Sequence, residues 1–325
     1  MKHSLEGLAI YWCCAAVAGI LGMPPCVWAQ EEKTSKKTFT YKTVEKCDIK
    51  ADVYGASTEG TRPVVIWIHG GALIMGHRGQ IDQALLGKLL KAGYTVVSID
   101  YRLAPETKLP AILEDLGDAY KWVREKGPGL FHIDPNRIAV MGGSAGGYLT
   151  LAAGFRVDPR PTALVSFWGY GDIAGAWYSQ PDPFYSRMPF VPKEEAYQAV
   201  GGAVISESSG KNNRHRFYLY CRQQGLWPKE VTGHDPDKED KAFEPFCPLR
   251  NVSVKYPPTL LIHGTNDSDV PYEQSALMAK ELTRKGVEHE LRTIQDAGHG
   301  LAGAKPAVVA EVHDRVLGFL NKHLR

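Results

Sequence analysis

The sequence is short of cysteine, of net charge and of long apolar runs, and each shortage closes off a class of protein. Six cysteines in 325 residues give no dense disulfide framework. The 38 basic and 36 acidic side chains are spread along the chain and nearly cancel, so a formal charge of +2 provides no field for nucleic acid or an anionic membrane, and neither partner is expected. The main apolar stretch, Leu8 to Met23, is interrupted by Tyr11, Gly19 and Gly22 and only just approaches the ~20 residues that a bilayer span needs. No internal repeat is visible. No histidine or cysteine pair has ligand spacing with a third ligand nearby, so no metal and no cofactor is expected.

What is present begins with a distinct first thirty residues. Lys2 and His3 precede the apolar stretch, and Val27-Trp28-Ala29 supplies small residues at cleavage spacing, the pattern of a secretory signal over residues 1–29. The expectation is a secreted or periplasmic protein without a stable membrane span after cleavage. Cys26 follows Met23-Pro24-Pro25, a poor lipoprotein box, and residues 30–38 read as a polar leader. The later cysteines are Cys47, Cys221 and Cys247, for which a Cys221–Cys247 disulfide and three buried thiols are both consistent readings.

From Phe39 the chain reads as a hairpin, Phe39 to Val44 and Cys47 to Tyr54, followed by short apolar strands alternating with amphipathic helices. The strands are Val64 to His69, Thr95 to Asp100, Ile138 to Met141, Ala163 to Phe167, Thr259 to His263 and Glu290 to Ile294. Helical periodicity covers Ala111 to Lys126, Tyr272 to Lys285 and Ala307 to Leu324. Such alternation implies a mostly parallel sheet with helices on both faces. Residues 170–257 break it: they hold proline, aromatic residues and the charged run Asp235 to Lys241, and read as an inserted lid with helices at Lys193 to Val200 and Arg214 to Gln223.

The chemistry is carried by Gly142-Gly143-Ser144-Ala145-Gly146, where a strand runs into Gly-x-Ser-x-Gly and then into a helix. Such a turn exposes the serine oxygen at a helix start, where free N–H groups and the helix dipole stabilise an oxyanion. Taken alone the motif also fits a capping serine or a phosphate loop, but three further features accompany it. His69-Gly70-Gly71-Ala72 follows a strand and assigns the oxyanion hole to the N–H groups of Gly71 and Ala145, with Gly70 as the substitute. The loop after the seventh strand carries Asp267, the chosen acid, and Asp269, its rival. His299, in Asp296-Ala297-Gly298-His299-Gly300, is the base. His263 ends a strand and is expected to pack or cap.

With Tyr101-Arg102-Leu103-Ala104-Pro105-Glu106, these stretches resemble the hormone-sensitive-lipase-like esterases and the neighbouring feruloyl and acetylxylan esterase group, over about Val64 to His323 outside the insertion. The resemblance implies the α/β-hydrolase fold with an eight-stranded sheet, a triad of Ser144, Asp267 and His299, an oxyanion loop at Gly70 and Gly71, and an ester substrate, small or polymer-borne. It also implies a structural role for Tyr101 to Glu106. Two departures stand out: Ala72 replaces the third glycine of the usual oxyanion triplet, and Gly143 replaces the acid that usually precedes the nucleophile. The Asp267 to Pro271 loop is more similar to the dienelactone-hydrolase and peptidase-like branches. The expected function is a secreted serine carboxylic-ester hydrolase, with an exported peptidase or amidase and an inactive binding module as alternatives. Ala72, Trp168, Trp177 and Tyr178 are candidates for the substrate pocket. The aromatics of the insertion, with Phe184, Tyr185 and Phe190, read equally as an acyl pocket or as packing between lid and body.

Overall fold

The computed structural model describes residues 35–55, 60–209 and 213–325; the expected signal segment, with Cys13, Cys14 and Cys26, lies outside them. An eight-stranded sheet runs in the order β1-β2-β4-β3-β5-β6-β7-β8. β1 (Lys36–Val44) and β2 (Cys47–Tyr54) form the antiparallel hairpin, and β2 also pairs antiparallel with β4 (Thr95–Ile99). β3 (Arg62–Ile68), β4, β5 (Ile133–Gly143), β6 (Ala163–Phe167), β7 (Thr259–Gly264) and β8 (His289–Ile294) are parallel. β1 begins three residues before Phe39, taking in part of the segment read as leader.

Strand alternation divides the core between the two sheet faces. Val64, Ile66, Ile68, Ile138 and Val140 face one cluster, built with α2 (Leu109–Phe131) and α3 (Ala145–Arg156); Val65, Trp67, Ala139 and Met141 face the other, built with α1 (Gln83–Lys91) and α9 (Pro306–Leu324). The insertion after β6 contributes to the first cluster through α4 (Ala176–Ser179), α5 (Lys193–Gln198), α6 (Arg214–Gln224) and α7 (Trp227–Thr232) before β7, after which α8 (Glu273–Arg284) leads to β8. Fully buried Tyr178, Phe217 and Trp227 join the lid to the body. Cys47, Cys221 and Cys247 are all free thiols, with Cys221 and Cys247 buried but Cys47 only half-buried; burial pushes the Cys247 thiol up to about 12. Among the described residues, no helix is long and apolar enough to cross a membrane.

Candidate active site

Ser144 stands between the end of β5 and the start of α3 with φ 57° and ψ −122°, a conformation that a non-glycine residue adopts only under constraint. The constraint is packing. A Cβ at Gly142 would lie 2.5 Å from the Gly146 carbonyl oxygen, and one at Gly146 only 2.0 Å from the Ile68 carbonyl oxygen, so strand and helix approach too closely for any side chain there. At Gly143 the restraint is milder: a Cβ there would come 3.2 Å from the Trp168 ring, a tight contact that a side chain before Ser144 could make only if the ring shifted by a few tenths of an ångström. Ala145 opens α3, so its N–H is one of those that a helix start leaves without an intrahelical acceptor.

Opposite the elbow runs the loop after β3. A Cβ at Gly70 would lie 3.2 Å from the Ser144 Cβ, and Gly71, at φ +103°, would drive one to 2.1 Å from the Met75 carbonyl oxygen. Buried His69 fastens this loop: its Nδ1 lies 2.7 Å from the Gly70 carbonyl oxygen, and its ring stacks on Tyr101 at 4.3 Å between centroids. Burial lowers His69 to about 4, so it is a neutral brace. The Tyr101 hydroxyl donates to the His69 carbonyl at 3.1 Å. Arg102 grips Asp115 of α2 through two 2.7 Å bonds, and Glu106 meets buried Arg214 of the lid, whose Nε donates to the Ile74 carbonyl at 2.6 Å. The Tyr101 to Glu106 stretch thus ties lid, oxyanion loop and α2 together at the carboxyl end of β4.

Asp267 and His299 come together across the loops that follow β7 and β8. Between His299 Nδ1 and Asp267 Oδ2 the distance is 2.8 Å, and the Asp267 side chain is wholly buried. Burial would raise the Asp267 carboxyl, but hydrogen bonds from His263 and His299 outweigh it and hold the group far below the ordinary range. His263 does more than pack: Nε2 lies 3.3 Å from Asp267 Oδ2 and 3.0 Å from the Val270 carbonyl, while Nδ1 meets the Ser275 hydroxyl at 2.7 Å. Asp269 takes the other side of His299, with Oδ2 3.5 Å from Nε2. Ser144 and His299 line one cavity without a direct hydrogen bond between them, a contact that substrate commonly tightens.

That cavity, about 400 Å³, is also bounded by Gly70, Gly71, Ala72 and Trp168, and by Tyr185, His215, Tyr218 and Asp269. Trp177 and Tyr178, expected at the pocket, stand instead in a stack in which Trp177 lies 3.7 Å from Tyr178 and Tyr178 lies 4.0 Å from Trp227; Trp227 Nε1 donates to the Ala72 carbonyl at 2.9 Å. They pack lid against body and support the oxyanion loop from below. Phe184 and Phe190 are exposed. Sequence reasoning missed Arg222, which is 1% exposed. Its Nη1 donates at 2.9 Å to Asp269 Oδ1, the Asp269 carbonyl and the Tyr218 hydroxyl, while Nη2 pairs with Asp182. The signal was present as Arg214, Tyr218 and Arg222, spaced by four on one face of α6.

The comparisons agree with this frame. A non-reducing polyketide synthase of Penicillium rubens is 28% identical over 326 residues, covering 85% of this chain but 13% of the synthase; the chain spans only 13–14% of the length of the first curated relatives it matches. Among solved structures, an arylesterase superposes with TM-score 0.64 at 21% identity, covering 90% of this chain and 86% of that one. An acetyl ester-xyloside bifunctional hydrolase from Caldicellulosiruptor lactoaceticus gives 0.59 at 23%, covering 85% and 88%. A family model described as the alpha/beta hydrolase fold matches residues 65–303, from β3 through the His299 loop, and the chain belongs to that family, in keeping with the esterase kinship its motifs suggested.

Proposed function

We propose that this protein is an exported serine hydrolase that cleaves carboxylic esters. The observation that carries the reading is the 2.8 Å bond between His299 Nδ1 and Asp267, beside a cavity that also holds Ser144 on its strained turn. Asp267 fixes the tautomer that leaves Nε2 free to take the Ser144 proton. Ser144 Oγ attacks the ester carbonyl, and the N–H groups of Gly71 and Ala145, with Gly70 beside them, stabilise the oxyanion. The alcohol leaves with the proton from His299, and water, activated by the same imidazole, releases the acid and restores Ser144. These groups suffice for the chemistry without a cofactor.

Turnover of p-nitrophenyl acyl esters, lost in Ser144→Ala, is the expected result; a Ser144→Ala protein as active as the parent refutes the assignment of Ser144, and a parent that turns over neither esters nor anilides points to the binding-module alternative. Faster cleavage of an aminoacyl anilide than of the ester favours the peptidase or amidase. The similarity to polyketide synthases supports a second reading, in which the acyl group is a polyketide held as a thioester; faster turnover of an acyl N-acetylcysteamine thioester than of the matching oxygen ester favours it. Export predicts that the mature protein outside the cytoplasm begins at Gln30, which N-terminal sequencing reads directly.

A further inference from the structure

Asp269 is two residues from Asp267, yet its carboxylate faces the cavity and keeps 18% exposure where Asp267 keeps none. Its two oxygens differ. Oδ1 accepts from the Tyr185 hydroxyl at 2.9 Å, from Arg222 Nη1 at 2.9 Å and from the Tyr218 hydroxyl, which fills its lone-pair positions. Oδ2 takes none of these donors and lies 3.5 Å from His299 Nε2. A carboxylate oxygen with spare acceptor capacity therefore borders the nitrogen that hands a proton to the leaving group.

That neighbourhood defines the missing donor. The leaving oxygen of an ester must come within ~3 Å of His299 Nε2 to receive its proton. Because Oδ2 lies only 3.5 Å from Nε2, a group on the carbon next to the one bearing that oxygen is within reach of Oδ2. An ammonium there would face the His299 imidazolium just as the leaving group departs, and Arg222 already supplies Asp269 with a cation. A neutral hydroxyl meets neither objection. An apolar substituent would strip water from Oδ2 and return no hydrogen bond.

We propose that Asp269 is a specificity-determining residue that accepts a hydrogen bond from a hydroxyl vicinal to the ester oxygen, so that the enzyme prefers esters of polyols to esters of simple alcohols. This rests on the ester-hydrolase reading above. The test compares kcat/KM for 2-hydroxyethyl acetate and 2-methoxyethyl acetate, which differ in the vicinal donor and little in leaving-group acidity. The parent is expected to favour the hydroxy ester about 10- to 100-fold, the range for a hydrogen bond to a charged group. Asp269→Ala brings the ratio near one; Asp269→Asn, which keeps the shape, reduces it to a few-fold. Any loss from folding or triad geometry cancels in the ratio. A parent ratio near one with both esters turned over, or a ratio unchanged in Asp269→Ala, overturns the proposal and leaves ester hydrolysis standing. No turnover of either ester or of p-nitrophenyl acetate by the parent overturns both.

Discussion

At the scale of single residues, the site turns on His299, whose two nitrogens both face carboxylates. Burial works against its charged form, but the Asp267 hydrogen bond and the charges of Asp269 and Asp267 outweigh it, raising the imidazole above its ordinary 6.5. The proposed mechanism needs His299 as the neutral base, so kcat/KM is expected to rise with pH through that raised value. The acid limb of the pH–rate profile is thus expected above that of an ordinary histidine, and Asp269→Asn, by removing one charge, should move it down. Asp267→Asn is expected to cost about 10⁴-fold in kcat by releasing the tautomer, with folding intact by circular dichroism. Gly146→Ala should fail differently: its methyl group meets a carbonyl at 2.0 Å, and loss of the soluble folded protein is the expected outcome. Ser144 and His299 were legible in the sequence because each sits in a short local motif. The sequence already favours Asp267 over Asp269; the fold adds that both reach the imidazole, Asp267 at Nδ1 and Asp269 at Nε2, which one loop read in one dimension does not show.

Elements were legible to the extent that periodicity reports burial. The hairpin and the six apolar strands appear where the sequence placed them, but β5 starts at Ile133, five residues early, because that residue pairs with Arg62 across a register shift. α2 continues past Lys126 through Gly127-Pro128-Gly129 to Phe131. Helical periodicity ends at Lys126, and burial of Gly127 and Phe131 against the sheet carries the helix on despite the low helix propensity of glycine and proline there. Two helices of the lid, α5 and α6, were visible, but α4 and α7 were not, nor were the partners, because the ion pairs between Arg214 and Glu106 or Arg222 and Asp182 join residues far apart along the chain. α6 is the element to test. Arg222→Leu leaves Asp269 and Asp182 without their cation, and removing one partner of a buried pair costs about 3–5 kcal/mol. Urea unfolding should register this as a lower midpoint with the slope preserved.

For the molecule as a whole, the insertion and the sheet share one apolar cluster, in which Tyr178, Phe217 and Trp227 lie with Leu149 and Ile66. Lid and body are therefore expected to unfold together, as a single calorimetric transition whose van't Hoff and measured enthalpies agree; two separable transitions would show that the lid is an independent unit. The sheet order was within reach of the sequence because parallel strands joined by helices admit few arrangements, while the inward side of the lid was not, because its contacts join residues remote along the chain. The Arg222 contacts bear on inheritance as well. A cap that swings freely can be exchanged between enzymes, but this one supplies the counterion to the loop that carries Asp267. A chimera given a foreign cap would lose that counterion, so lineages of this protein should vary their substrates by altering residues on the existing cap and keep the cap itself.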